Sequence, residues 1–293
     1  MVTWNCFTFS LLTFSLYAGD LEGALEKRIA QSPAKVFLAA KNLTTGKIVE
    51  LRGNEKVRTA STIKLPLLVE IYAEANEGKL KLDEELIMRE ADMVSGSGVL
   101  RELTAGTRMK LRDIANLMIV VSDNTATNML MERVTADAVN ARMDKLGLPA
   151  TRLMRKIRGD GTQLKAAQGW SKAGELEENK KFGIGSSTAL EMLRLLELLA
   201  EGKLPGSKEM IAILKRQQYK DGLGRKLPGL TIANKTGALD HLRSDVGIVY
   251  TKGGPIAIAI TVEDIPAIDY GEDNPGLILI ADLAKQIVEA LGN

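Results

Sequence analysis

A serine and a lysine three residues apart, Ser61 and Lys64 in "VRTASTIKLPLLVEIYAE", open an apolar run that reads as a helix. On a helix, positions i and i+3 share a face with Cβ atoms about 5–6 Å apart, so the amine can reach the hydroxyl. A serine so placed is a candidate nucleophile, with the lysine as the base that takes its proton. The helix N-terminus adds unpaired N–H groups and a positive dipole end, which stabilise an oxyanion and favour a neutral amine. Thr59 or Ser61 would serve as the cap. A second Ser-x-x-Lys, "SPAK" at Ser32 to Lys35, lacks this setting. Pro33 stands at the end of a helical run and Lys35 begins a strand, so that pair reads as a loop.

Two further triplets carry chemistry. "SDN" (Ser122, Asp123, Asn124) falls where an apolar helix breaks, and "KTG" (Lys235, Thr236, Gly237) falls on a late strand. A carboxylate at a helix break caps backbone N–H groups, so Asp123 reads as structural. Each triplet is expected by chance in only on the order of a few per cent of chains of this size, so their joint, ordered occurrence is informative.

The rest of the composition excludes much. There is one cysteine, Cys6, and one histidine, His241. A zinc site built on Cys or several His cannot be assembled, an intrachain disulfide is impossible, and a Ser-His-Asp triad would run through His241 alone. His241 reads as a surface or rim residue, because lysines already occupy the base positions. No metal or organic cofactor is implied. The net charge of +2, from 39 basic and 37 acidic side chains, and the 4% aromatic content give no nucleic-acid footprint. A small-molecule substrate is the expected partner, and nothing argues for an obligate oligomer.

The elements that must hold these residues can be read from periodicity. Residues 20–32 read as an amphipathic helix and 35–53 as a hairpin around a Thr-Gly turn. From Thr59 the pattern is helical, with Gly78 stopping the first helix. "LTIANKTGAL", "SDVGIVYTKG" and "PIAIAITVED" read as sequential strands, and "PGLILIADLAKQIVEALG" as a closing helix. The expected fold is α+β. One antiparallel sheet is built from both chain ends and flanked by terminal helices, and an all-helical lobe is inserted between its second and third strands. In chain terms, 20–56 with 215–293 would form the α/β lobe and 57–214 the helical lobe, with the active site in the cleft between. The uncharged first 19 residues resemble a signal peptide cleaved after Ala18 or Gly19, which makes the expected location periplasmic or secreted, without membrane insertion after cleavage.

Ser-x-x-Lys, Ser-Asp-Asn and Lys-Thr-Gly, in that order, resemble the motif set of the serine penicillin-recognising enzymes, and class A β-lactamases most closely. "NLTTGKIVELRGNEKVRTASTIK", "LTAGTRMKLRDIANLMIVVSDNTATNMLM", "ATRLMR" and "NKTGALDHLRSDVGIV" follow the family order over nearly the whole chain after the leader. The resemblance implies the β-lactamase/transpeptidase-like fold and a bacterial serine hydrolase. Ser61 would attack the carbonyl of a β-lactam or a D-Ala-D-Ala-like group, with Lys64 as its base. Ser122 would pass a proton to the departing nitrogen, and Asn124 would hold the substrate side-chain amide and Lys64. Lys235 and Thr236 would bind the substrate carboxylate, with Arg243 near the place of an assisting arginine. The backbone N–H groups of Ser61 and Ala238, the latter following Gly237, would form the oxyanion hole.

The chain departs from the family at one chemically decisive place. Class A enzymes carry a loop glutamate just after an Arg-Leu-x-Arg run, which activates the water that clears the acyl-enzyme. Here "TRLMR" is followed by "KIRGDG", and strict alignment puts Ile157 at that position. The loop over 155–186 is long, and its acids Glu175, Glu177 and Glu178 lie in "GELEEN". Glu175 stands four before Asn179, which keeps the family's Glu-to-Asn separation, and is the expected equivalent. Glu178, or no equivalent at all, is the alternative. The aspartate that pairs with the arginine equivalent to Arg155 is absent, with Gly183 and Gly185 nearby instead. Around Arg243 the register is shifted by about one residue, which on a strand would flip its face. Three activities remain open: a β-lactamase, a peptidase or esterase of the same fold that β-lactams inhibit, and a sensor that stays acylated.

Overall fold

The computed structural model describes residues 21–158 and 170–292. The leader and residues 159–169 of the long loop lie outside the described residues. Five strands form one antiparallel sheet: β1 (Lys35–Asn42), β2 (Ile48–Leu51), β3 (Thr231–Leu239), β4 (Leu242–Thr251) and β5 (Gly254–Glu263), in the spatial order β2-β1-β5-β4-β3. The first two come from the N-terminal part of the chain and the last three from its end, as the sequence pattern predicts.

The two faces of this sheet are written in the side-chain alternation of its central strands. In "PIAIAITV" of β5, Ile256, Ile258, Ile260 and Val262 face a core shared with the terminal helices, α1 (21–29) and the closing helix Pro275–Leu291. Ala257 and Ala259, with Ala39 of β1, face the other way into the core of the helical part. Small residues on that face let the helix Ala189–Ala200 lie close against the sheet, where Lys41 pairs with Glu197 at 2.8 Å.

Among the helices of the inserted part, α2 (Lys64–Asn76) is buried on every side from Lys64 to Ala73. A helix that is apolar all round can only be a core helix, which is why "KLPLLVEIYA" reads as one. Its single buried carboxylate, Glu70, accepts from Arg142 Nε at 2.5 Å. The helix does not begin where the serine stands. Residues 60–63 form a 3-10 turn, and the α-helix starts at Lys64. Neither Thr59 nor Ser61 caps it: no side-chain cap bond is made, and Thr59 Oγ1 is buried without a partner.

α3 (Leu111–Val120) and α4 (Asn124–Arg133) are separated by a break in which Ser122 takes a positive φ of 54°. Asp123 holds that break. Its carboxylate accepts from Ala126 N at 2.8 Å at the start of α4, and from Val99 N and Leu100 N at 2.6 and 2.8 Å. Residues 99–100 are thereby tied to the Ser-Asp-Asn triplet, and Asn124 ties the preceding loop by donating from Nδ2 to Ser95 O and from N to Ser97 O. The approach is so close that a Cβ on Gly98 would stand 2.3 Å from the Asp123 carboxylate. Three short strands, Val57–Arg58, Arg152–Leu153 and Gly185–Ser187, join the segment before Ser61 to both arms of the long loop. No helix among the described residues is long and apolar enough to cross a membrane.

Candidate active site

Ser61 sits in the 3-10 turn directly after Ala60, which is itself held at a positive φ of 47°. A non-glycine residue there is strained and persists only where the surroundings over-determine it. The surroundings here are the edge strand β3. A Cβ on Gly237 would lie 2.8 Å from Thr59 O and 3.1 Å from Ser61 N, so only glycine lets the strand lie flat against the turn. The turn places Ser61 on the wall of a cleft between the sheet edge and the helices.

Lys64 is fully buried and donates to Ser122 O at 2.6 Å, Ser122 Oγ at 3.1 Å and Asn124 Oδ1 at 2.9 Å. Lys235, also fully buried, donates to the same Ser122 Oγ at 3.0 Å and to Thr236 O at 2.7 Å. Two lysines from distant parts of the chain thus converge on one hydroxyl. None of the three Lys64 acceptors is Ser61 Oγ, so the direct serine–lysine bond expected from the helical spacing is not made in this structure. Burial, then the charge of Lys235, push Lys64 well below the ordinary lysine value, against a small opposing pull from Asp123. Burial brings Lys235 down to about 7, opposed by Asp245.

Asp245 is a residue that motif reasoning missed. It stands on β4 opposite Thr236, fully enclosed, accepting from Asn234 Nδ2 at 2.8 Å and Leu223 N at 2.9 Å. Burial pushes its carboxyl up to about 6, against those hydrogen bonds and the charge of Lys235. A signal was present: an acid in "SDVGIVY", an otherwise apolar strand, has to be paired or hydrogen-bonded.

The cleft extends to both sides of Ser61. On one side a cavity of about 260 Å³ is lined by Ser122, Thr236, Gly237, Ala238 and Arg243, with Tyr219, Asp221 and Tyr270 on the rim. Arg243 therefore faces the cleft, and the register shift does not carry it away. It pairs with Ala238, donates through Nη1 to Leu239 O and Leu242 O at 2.6 Å each, and stacks on Tyr270 at 4.8 Å. His241 lies outside, its Nδ1 2.7 Å from Ile265 O. On the other side a cavity of about 400 Å³ is lined by Asn124, Ser95, Ser97, Ala238, Arg155, Ile157 and Arg158.

The loop acid is where the sequence expectation must be corrected. Glu175 ends a short helix, Lys172–Glu175, is exposed, and lines neither side of the cleft. Glu178 lines a separate groove with Lys56, Arg58 and Glu263. Local hydrogen bonds turn "GELEEN" outward. Ser171 N donates to Met154 O, Ser171 Oγ to Leu153 O, and Asn179 Nδ2 to Ala173 O, all at 2.8 to 2.9 Å. The acids are then a solvated face. Ile157 stands where strict alignment puts it. Asn128 clamps it at two points, accepting from Ile157 N at 2.9 Å and donating to Ile157 O at 3.0 Å, and Ile157 lines the cleft together with Ser61. Among the described residues, no carboxylate lines that side of the cleft, and no group of three or more His, Cys, Asp or Glu could hold a metal ion.

Comparison with known proteins bears on the family and the fold. The model of the beta-lactamase enzyme family matches residues 20–291. A beta-lactamase of Bacillus licheniformis is 27% identical over 93% of this chain and 84% of the relative. The crystal structure of a beta-lactamase from Sphaerobacter thermophilus superposes with a TM-score of 0.79 at 28% identity, over 94% of this chain and 97% of that one. PBP-A, solved as a leucine-to-glutamate variant in an acyl-enzyme complex with penicillin G, superposes at 0.78 with 26% identity, over 93% and 96%.

Proposed function

Because the chain belongs to the beta-lactamase enzyme family, we propose that it is a serine hydrolase that opens the β-lactam amide through an acyl-enzyme on Ser61. Ser61 Oγ attacks the carbonyl carbon and its proton passes to neutral Lys64. The N–H groups of Ser61 and Ala238 receive the developing oxyanion. The C–N bond then breaks, and Ser122 delivers a proton to the departing nitrogen. Lys235, Thr236 and Arg243 hold the substrate carboxylate, and Asn124 the side-chain amide. One observation supports this reading above the others. Lys64 and Lys235 share Ser122 Oγ at 3.1 and 3.0 Å, which is a continuous proton path from the base to the leaving group.

A second reading of the outcome is favoured by Ile157. An isoleucine cannot activate water, so the ester on Ser61 would clear slowly, and the chain would act on β-lactams mainly as an acyl acceptor, with D-Ala-D-Ala-like esters or amides as alternative substrates. The leucine-to-glutamate variant of PBP-A, solved as an acyl-enzyme with penicillin G, supports the acyl-enzyme step common to both readings. An exported, monomeric protein fits both.

A chromogenic cephalosporin mixed with the purified protein decides between them, with colour and intact mass followed together. Sustained colour at unmodified mass is the first outcome, and one stoichiometric burst with a stable mass increase is the second. Ser61→Ala is expected to abolish both signals, and colour or added mass in that variant would overturn the Ser61 assignment.

The two lysines also predict the pH profile of acylation. Lys64 must be neutral and Lys235 charged, so kcat/KM rises with pH as Lys64 loses its proton and falls from about pH 7 as Lys235 loses its own. Because both contact Ser122 Oγ, the limbs are properties of the pair. Lys235→Arg, which stays charged, is expected to remove the falling limb. A profile that is flat from acid to alkaline pH would contradict the assignment.

A further inference from the structure

We propose that Arg155 and Arg158 form an anion subsite in the cleft of Ser61, which takes a carboxylate carried on the acyl side chain of the substrate. This rests on the acyl-enzyme reading and narrows its substrate class. The two arginines line the larger side of the cleft together with Asn124, Ala238 and Ser61. That is the side on which the acyl substituent lies once Asn124 holds its amide. They are the only charged side chains among the described residues that line it.

Nothing described in the protein neutralises them. Burial and the charge of Arg158 bring Arg155 down to about 10, and no acid acts on it in the opposite sense. Its Nη1 donates to a backbone carbonyl, Lys156 O, at 2.9 Å. Arg158 Nε is buried with no hydrogen-bond partner. A Cβ on residue 183 would stand 3.9 Å from Arg155 Nη2, within reach for an acid, but the residue is glycine. Glu175, Glu177 and Glu178 are exposed. Two guanidinium groups in a partly buried cleft, with no acid on them among the described residues, carry a desolvation cost that a carboxylate offsets.

Trp170 accounts for part of the arrangement. Its ring lies 5.5 Å from Arg155 Cζ and 5.2 Å from Arg158 Cζ, and the Arg155–Trp170 β-bridge holds it there. Stacking engages the face of a guanidinium and leaves its in-plane N–H donors directed elsewhere, the geometry a carboxylate accepts from in bidentate fashion. The cleft then offers positive charge at both ends: Lys235 and Arg243 for the carboxylate next to the scissile bond, and Arg155 and Arg158 for a second one. The fitting substrate is dianionic.

Two penicillins that differ only by a carboxylate on the side-chain α-carbon test this, with the acylation rate as the readout, followed as mass addition to Ser61 or, where the ester clears, as ring opening. The carboxylated compound is expected to acylate faster by on the order of tenfold, the scale of one charge-assisted hydrogen bond. Arg158→Gln is expected to bring the ratio of the two rates to about one, and Arg158→Lys to keep it clearly above one. Equal rates in the unaltered protein, or an unchanged ratio in Arg158→Gln, would overturn the subsite while leaving the acyl-enzyme standing. If neither compound adds mass and neither is hydrolysed, the acyl-enzyme reading and the subsite fall together.

Discussion

Replacing Ile157 by glutamate is expected to shorten the lifetime of the acyl-enzyme by on the order of 10²–10⁴-fold, the range of a well-placed general base. The backbone at this position is held by both ends of the Asn128 amide, so the new side chain inherits a fixed point of attachment. Ile157 is buried and lines the cleft with Ser61, so the carboxylate would face the ester without any rearrangement of the loop. Burial alone would raise its pKa, but Arg155 and Arg158 on the same wall favour the ionised form that a base requires. The measurement is the decay of the mass adduct after a single turnover, with the melting temperature as a control for folding. A folded Ile157→Glu protein whose adduct decays no faster would show that water cannot reach the ester from this side. Turnover would then depend on some other group.

Lys64→Met is expected to have the opposite character: a large loss of acylation with little change in stability. Acylation should fall by on the order of 10²–10⁴-fold, because the hydroxyl of Ser61 loses its base. Stability responds to two terms of opposite sign. Methionine fills a similar volume and removes a buried amine whose charged form is disfavoured by desolvation, which is commonly neutral or favourable. It also leaves Asn124 Oδ1 and Ser122 O without the donor they had at 2.9 and 2.6 Å, at about 1–3 kcal/mol for each unsatisfied group. Since these offset, the melting temperature should move by no more than about 4 °C in a chain of this size. A collapse of stability would mean that Lys64 is held as a paired cation, and its role as the neutral base would be wrong. Retained acylation would pass that role to another group.

Much of this protein is legible without coordinates. The five strands of the main sheet and its terminal helices follow from periodicity. Asp123 reads as a cap because a carboxylate at a helix break has few other uses. Other features are not legible, for local reasons. Propensity does not separate a 3-10 turn from an α-helix, so the sequence starts the first long helix too early. The spacing of Glu175 to Asn179 carries no information about which way a loop turns. The hydrogen bonds of Ser171 and Asn179 decide that, and they are made to carbonyls of neighbouring segments that no motif marks.

What the sequence by itself determined is the set of candidate groups and their order: Ser61, Lys64, Ser122 and Lys235, with Ile157 where strict alignment puts the family's loop acid. It could do so because covalent order and short spacing are sequence properties. Only the tertiary structure decided how these groups act on one another. Lys235 reaches Ser122 across 113 residues of chain, and both lysines give up their protons more readily than a free lysine chiefly because packing removes them from water. Asp245, Arg243 and the Arg155–Arg158 pair take their meaning from the walls they share. Desolvation and through-space charge depend on distance in the fold, which separation along the chain does not encode.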